Sequence, residues 1–154
     1  MIEIIFLDVD GCLTDGGLYY TNLGDELKKF NVNDGFGIEQ WNKIGKISAI
    51  ITGKSSKIVE KRAKDLKIKY VFQGVKDKFS VAEEILKKEG LGFENAAAIG
   101  DDYNDIRLLN NVKMSFKPLN AMSEVKADIA LSKKGGDGAV REMIETIIKK
   151  ENLS

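Results

Sequence analysis

The chain has 154 residues, 43% of them hydrophobic, and its 24 acidic and 24 basic side chains leave a formal net charge of zero. That length and apolar content suit one domain with a real core, expected over residues 1–154. The charge balance gives no basis for binding nucleic acid or a membrane surface, and no apolar run reaches the roughly 20 residues that a membrane helix needs. No basic segment precedes an apolar stretch at the start, so no signal peptide is expected. Cys12 is the only cysteine, which precludes an internal disulfide and suits the cytoplasm. There is no histidine. Histidine acid/base chemistry, Ser-His-Asp triads and histidine-ligated zinc are therefore excluded. A Cys-x5-Arg phosphatase loop fails as well, because Leu18 stands where arginine is required. What remains is chemistry by carboxylates, hydroxyls, lysines and backbone groups.

In chain order, Ile2 to Asp8 is a continuous apolar run, the pattern of a strand buried on both faces. Leu18 to Tyr20 and Glu26 to Phe30 flank a turn at Thr21 to Asp25 and predict a hairpin. Gly35 to Lys43 predicts a helix, with Trp41 in the core. Lys46 to Ile51 predicts a second buried strand, ending at Thr52-Gly53. Ser55 or Ser56 suits the cap of a helix whose apolar stripe is Ile58, Val59, Ala63 and Leu66. A strand at Tyr70 to Gln73, a helix over Lys76 to Lys88 with Gly90 as its stop, and a strand at Ala96 to Ile99 follow. Asn104 to Leu109 predicts a helix; Val112 to Phe116 and Ile129 to Leu131 predict strands; Val140, Ile144, Ile147 and Ile148 mark a closing helix. Strands alternating with helices predict a three-layer, Rossmann-like α/β fold: a parallel sheet with helices on both faces, and a small β-hairpin beside it.

Ligands of such sheets bind at the carboxyl ends of the strands. There the sequence collects Asp8, Asp10, Thr52, Gly53, Lys78, Asp101 and Asp102. Asp8, Asp101 and a backbone carbonyl offer hard oxygens suited to Mg²⁺. A carboxylate oxygen of Asp8 can attack a phosphate monoester, while Asp10 protonates the leaving oxygen and later activates water. Thr52 can donate to a phosphoryl oxygen, Lys78 supplies positive charge, and Asp105 can orient Lys78. Each element has a plainer reading alone: Asp8 and Asp10 as an acidic turn, Thr52-Gly53 as turn chemistry, Asp102 as a helix cap.

Taken together, "DVDG" at Asp8 to Gly11, "ITG" with Thr52, "KDK" with Lys78 and "GDDYND" at Gly100 to Asp105 resemble the haloacid dehalogenase superfamily. The resemblance implies Asp8 as nucleophile, Asp10 as acid/base, and Mg²⁺ on Asp8, the Asp10 carbonyl and Asp101. The short spans between these motifs leave no room for a cap domain, and capless members commonly complete their site in a homotetramer. Within that group, "DGCLTDGGLYY", "KKFNVNDGFGI", "VFQGVKDK" and "GGDGAVREM" resemble the 3-deoxy-D-manno-octulosonate 8-phosphate phosphatases. The resemblance implies a phosphorylated sugar acid as substrate, with Lys54, Arg62 and Arg141 as candidate contacts. It also implies that Gly135, Gly136, Gly138 and Arg141 reach towards a neighbour's site. Lys54 and Asn33 stand where that family usually has arginine, so a nine-carbon keto sugar acid 9-phosphate remains an alternative substrate. Lysine keeps the charge but loses the bidentate fork. Two other classes stay open: a phospho-aspartate signalling domain and a non-catalytic assembly domain. Receiver domains, however, end a central strand with the phosphorylated Asp, where this chain has Thr52.

Overall fold

A computed structural model describes residues 1–153. Six parallel strands form one sheet: β1 (Ile4–Leu7), β4 (Ile47–Ile51), β5 (Tyr70–Phe72), β6 (Ala96–Ile99), β7 (Met114–Lys117) and β8 (Ile129–Ala130), in the order β5-β4-β1-β6-β7-β8. Strands β2 (Tyr19–Tyr20) and β3 (Glu26–Leu27) pair antiparallel as a separate hairpin. The helices are α1 (Val32–Lys43), α2 (Lys57–Asp65), α3 (Lys78–Glu89), α4 (Ile106–Leu109) and α5 (Ala139–Lys150).

The pleat of β1 sorts the two layers of core. Ile5 and Leu7 face α1, α2 and α5, where Ile38, Trp41, Val59, Ala63, Val140, Met143 and Ile147 are buried. Ile4 and Phe6 face α3 and α4, against Ala82, Ile85, Leu86, Leu108 and Leu109. Both faces of β1 are thus covered, which is why its sequence is apolar without alternation. No separate domain interrupts the described residues between Asp10 and Lys78: that stretch holds only the hairpin, α1, β4, α2 and β5.

Several boundaries differ from expectation. Helix α1 begins at Val32, three residues before Gly35, because the Asn31 side chain accepts a hydrogen bond from Asn33 N and caps it. Helix α3 begins at Lys78, because the side chain of Asp77 accepts from Ser80 N as its cap. The helix expected from Asn104 starts at Ile106, preceded by a tight turn over Tyr103–Asp105. Ser56, not Ser55, caps α2 by accepting from Ile58 N.

Candidate active site

The strand order places the crevice. From β1 the chain proceeds to β4 and β5 on one side, then crosses back to β6, β7 and β8 on the other. Loops leaving β1 and β6 therefore turn opposite ways and open a gap at the carboxyl ends of these adjacent strands. Leu7 pairs with Ile99 on β6 and with Ile50 on β4. Asp8 and Asp101 thus emerge side by side just past one pair, and Thr52 just past the other. A pocket of about 270 Å³ opens there, walled by Asp8, Asp10, Thr52, Gly53, Lys54, Asp101, Asp102 and Asn104, with Gly11 and Gly16 at its edge.

The turn after β1 is shaped by glycine. Gly11 has φ +85°, and a Cβ there would stand 2.0 Å from Asp101 Oδ2. Buried Thr14 ties the turn together: its hydroxyl accepts from Gly11 N at 3.3 Å and Gly16 N at 3.1 Å. Asn120, just past β7, buttresses it, donating to the Gly11 carbonyl at 3.0 Å and accepting from Gly135 N at 2.8 Å. A Cβ on Gly135 would lie 1.9 Å from the Gly11 carbonyl oxygen. Gly135 and Gly136 are therefore buried against this chain's own turn, rather than forming an arm free to reach a neighbour.

Behind Asp8 lies a buried chain of charge. Lys78 Nζ donates to Asp8 Oδ1 at 3.0 Å and to Asp105 Oδ1 at 2.7 Å, and all three residues are less than a tenth exposed. Asp105 Oδ2 in turn accepts from the amides of Asp101 and Asp102, at 3.0 and 3.3 Å. A lysine in the first turn of a helix opposes the helix dipole. Burial also works against its charge, yet the flanking Asp8 and Asp105 carboxylates hold its pKa above the ordinary lysine value. Burial raises Asp8 well above the usual carboxylate range, with Asp105 adding to the rise and Lys78 opposing it. Burial raises Asp101 too. These are the marks of crowded hard oxygens that gain from a shared divalent cation, and Asp8 and Asp101 fit Mg²⁺. The Cys12 sulfur is close by, but burial pushes its thiol well up, so no thiolate competes for a hard ion.

Asp10 sits on the open side, a carboxylate on the pocket wall held by Lys28 Nζ at 2.8 Å. Asp102 is exposed at the rim, and its side chain accepts from Tyr103 N. Arg62 and Arg141 are not brought to this pocket. The Arg62 guanidinium donates to the Asn31 carbonyl at 3.3 Å and lies over the Phe30 ring, so it cements α2 to the start of α1. Arg141 pairs with Glu145 and covers Phe36, beside a separate depression that includes Asn33. Sequence reasoning passed over Lys28, Asn104 and Asn120. The first lay in an expected strand and the second at an expected helix start; the third lay in a segment with no periodic signal.

Known proteins agree with this geometry. The profile of the haloacid dehalogenase-like hydrolases matches residues 70–140. The 3-deoxy-D-manno-octulosonate 8-phosphate phosphatase KdsC of Escherichia coli K12 is 38% identical, over 96% of this chain and 79% of its own length. The Haemophilus influenzae enzyme of the same name is 37% identical over 99% of this chain and 86% of its own. Among solved structures, the Moraxella catarrhalis phosphatase, crystallised with magnesium, phosphate and KDO, superposes with a TM-score of 0.95 at 38% identity, covering 99% of this chain and 89% of that one. The cobalt-bound Haemophilus influenzae phosphatase gives 0.93 at 37% identity, covering 98% and 90%. With a capless parallel sheet, four motifs converging at one crevice and this likeness over nearly its whole length, the chain belongs to the 3-deoxy-D-manno-octulosonate 8-phosphate phosphatase family of haloacid dehalogenase-like hydrolases.

Proposed function

We propose that this chain is a Mg²⁺-dependent phosphatase that releases inorganic phosphate from 3-deoxy-D-manno-octulosonate 8-phosphate. The observation that carries the chemistry is the buried Asp8–Lys78–Asp105 chain lying beside Asp101 at the floor of the pocket. An Asp8 carboxylate oxygen attacks phosphorus, the bond from phosphorus to the sugar oxygen breaks, and Asp10 gives that oxygen a proton. Water then attacks the aspartyl-phosphate and yields its proton to Asp10, and the bond between Asp8 and phosphorus breaks. Mg²⁺ held by Asp8, Asp101 and the Asp10 carbonyl supplies the positive charge that screens these carboxylates from the incoming phosphate. The Thr52 hydroxyl and Gly53 amide donate to phosphoryl oxygens; Lys78, oriented by Asp105, fixes Asp8 and offsets the developing charge. Asp102 steadies the loop that carries Asp101. Lys54, on the pocket wall, pairs with the carboxylate of the sugar acid.

The apolar side chains left exposed at Tyr20, Leu23, Leu27, Val32 and Phe36 support a homotetramer. The lone cysteine supports a cytoplasmic setting. A nine-carbon keto sugar acid 9-phosphate is the second reading, favoured by Lys54, a point charge on the pocket wall without the planar fork of arginine.

The test is phosphate release with Mg²⁺ from the eight-carbon and nine-carbon acid phosphates and from simple sugar phosphates. The eight-carbon substrate is expected to give the highest kcat/KM, with activity lost in EDTA and restored by Mg²⁺. A nine-carbon preference moves the assignment to the second reading. No release from any substrate by folded protein sinks both.

A further inference from the structure

The hairpin sends one buried charge into the site. Lys28 follows β3, and its side chain is 2% exposed. It donates to Asp10 Oδ1 at 2.8 Å and pairs with Glu26 at 3.1 Å. Two residues on, Phe30 bridges to Thr14, so the hairpin's return is fixed against the same turn that carries Asp10. Burying a lysine between two carboxylates is weak support for stability, because desolvation offsets most of the attraction. It is a strong constraint on geometry: Asp10 Oδ1 is occupied, and among the described residues nothing donates to Oδ2.

We propose that Lys28 is a positioning residue that locks the Asp10 carboxylate through Oδ1 and leaves Oδ2 as the oxygen that exchanges the proton. The hairpin is thereby part of the acid/base device, although it lies outside the pocket lining. This rests on Asp10 being the acid/base group. In the first half-reaction the phosphorus–sugar oxygen bond breaks as the Oδ2 proton passes to that oxygen; in the second, Oδ2 takes the proton of the attacking water.

The leaving group tests this. A sugar alcohol is a poor leaving group and needs the proton; p-nitrophenolate leaves without it. Lys28→Met is compared with wild type, Lys28→Arg and Asp10→Asn, using kcat/KM for the sugar acid phosphate and for p-nitrophenyl phosphate. General-acid catalysis is worth roughly 10²–10⁴-fold, so Lys28→Met is expected to lose about 30-fold or more on the sugar phosphate and under about 3-fold on p-nitrophenyl phosphate. Lys28→Arg is expected to recover part of the loss. Equal losses on both substrates, or no loss on either, overturn the proposal. If Asp10→Asn itself shows no leaving-group discrimination, the acid/base assignment has failed; if only Lys28→Met lacks it, the Lys28 role alone has failed. Lys28→Leu, which likewise removes the donor, replaces the methionine variant should that one not fold, with the same outcomes expected.

Discussion

The pocket and the hairpin beside it are built from different materials. On the sheet side, Asp8, Thr52 and Asp101 each sit one or two residues past a buried strand, and behind them Lys78 and Asp105 are almost wholly enclosed. Beside it, reaching Asp10 through Lys28, stands a hairpin of two two-residue strands, with Tyr20 65% exposed and Leu23 91% exposed. A pair of strands that short has little stability of its own. The difference separates two tasks. Groups enclosed behind the pocket need fixed positions, which the sheet supplies; a marginal element beside it can carry a single contact to Asp10, provided one anchor such as Lys28 ties it down.

Substitutions on each side can break or sharpen that contrast. The largest effect is expected for Asp8→Asn, which removes the attacking oxygen: kcat should fall by at least about 10⁴-fold with the thermal melt unchanged or raised. Near-normal turnover by steady-state assay would remove Asp8 as nucleophile. Next comes Lys78→Met. It should lower kcat by about 10²–10³-fold, and it strands two buried carboxylates, so urea denaturation should also show a loss of about 3–5 kcal/mol. A drop in activity without that loss of stability would mean that the sheet side is less tightly built than its hydrogen bonds imply.

A smaller effect lies at Asp34, buried on α1. Gly138, just before helix α5, has no side chain to cap it, and Asp34 caps the helix from outside by accepting from Arg141 N at 2.9 Å. Its other oxygen has no partner among the described residues. Burial raises its pKa from the ordinary 3.8 to about 6, against the opposing pull of the α5 amides and Arg62. The folded state therefore binds the proton more tightly than the unfolded chain. Relative to Asp34→Asn, wild-type stability should fall as pH rises from about 4 to about 6 and stay level above. At about 1.4 kcal/mol per pH unit the change is about 2–3 kcal/mol, readable from urea midpoints at several pH values. A flat difference would show that the α5 amides fully compensate the buried charge. The smallest effect is expected at the hairpin tip: Leu23→Ser should change stability by no more than about 0.5 kcal/mol. A larger loss would show that the tip packs against the rest of the chain.

The sheet was legible because its central strands β1, β4 and β6 are apolar on both faces and run out into Asp8, Thr52 and Gly100-Asp101. Ile2 to Asp8 and Ala96 to Ile99 need no long-range information to be read as buried strands. The carboxylates followed from the same rule, since ligands gather where strands end. Positions decided by packing between distant segments were not legible. Gly35 suggested a helix start, yet it lies inside α1, where a Cβ would stand 2.7 Å from the Arg62 guanidinium. Arg62 was a candidate substrate contact for its charge, and only the α1–α2 packing shows that charge to be engaged elsewhere. Lys28 is one lysine among many in the sequence; its partner lies 18 residues away. Asn120 has no motif around it, and its role exists only where β1, β7 and the loop before α5 converge.

The contact between Gly11 and Gly135 also bears on the order of events during synthesis. Asn120 reaches back across 109 residues to the Gly11 carbonyl, and Gly135 then closes on the same peptide. Such long-range closures come late, because the intervening chain must be ordered before they are rewarded. A nascent chain can pair β1 with β4 well before that segment is made, but the turn after Asp8 stands without a buttress. The turn after β1 is finished by the last third of the chain, so an unfinished chain carries Asp8 without the contacts that fix its turn.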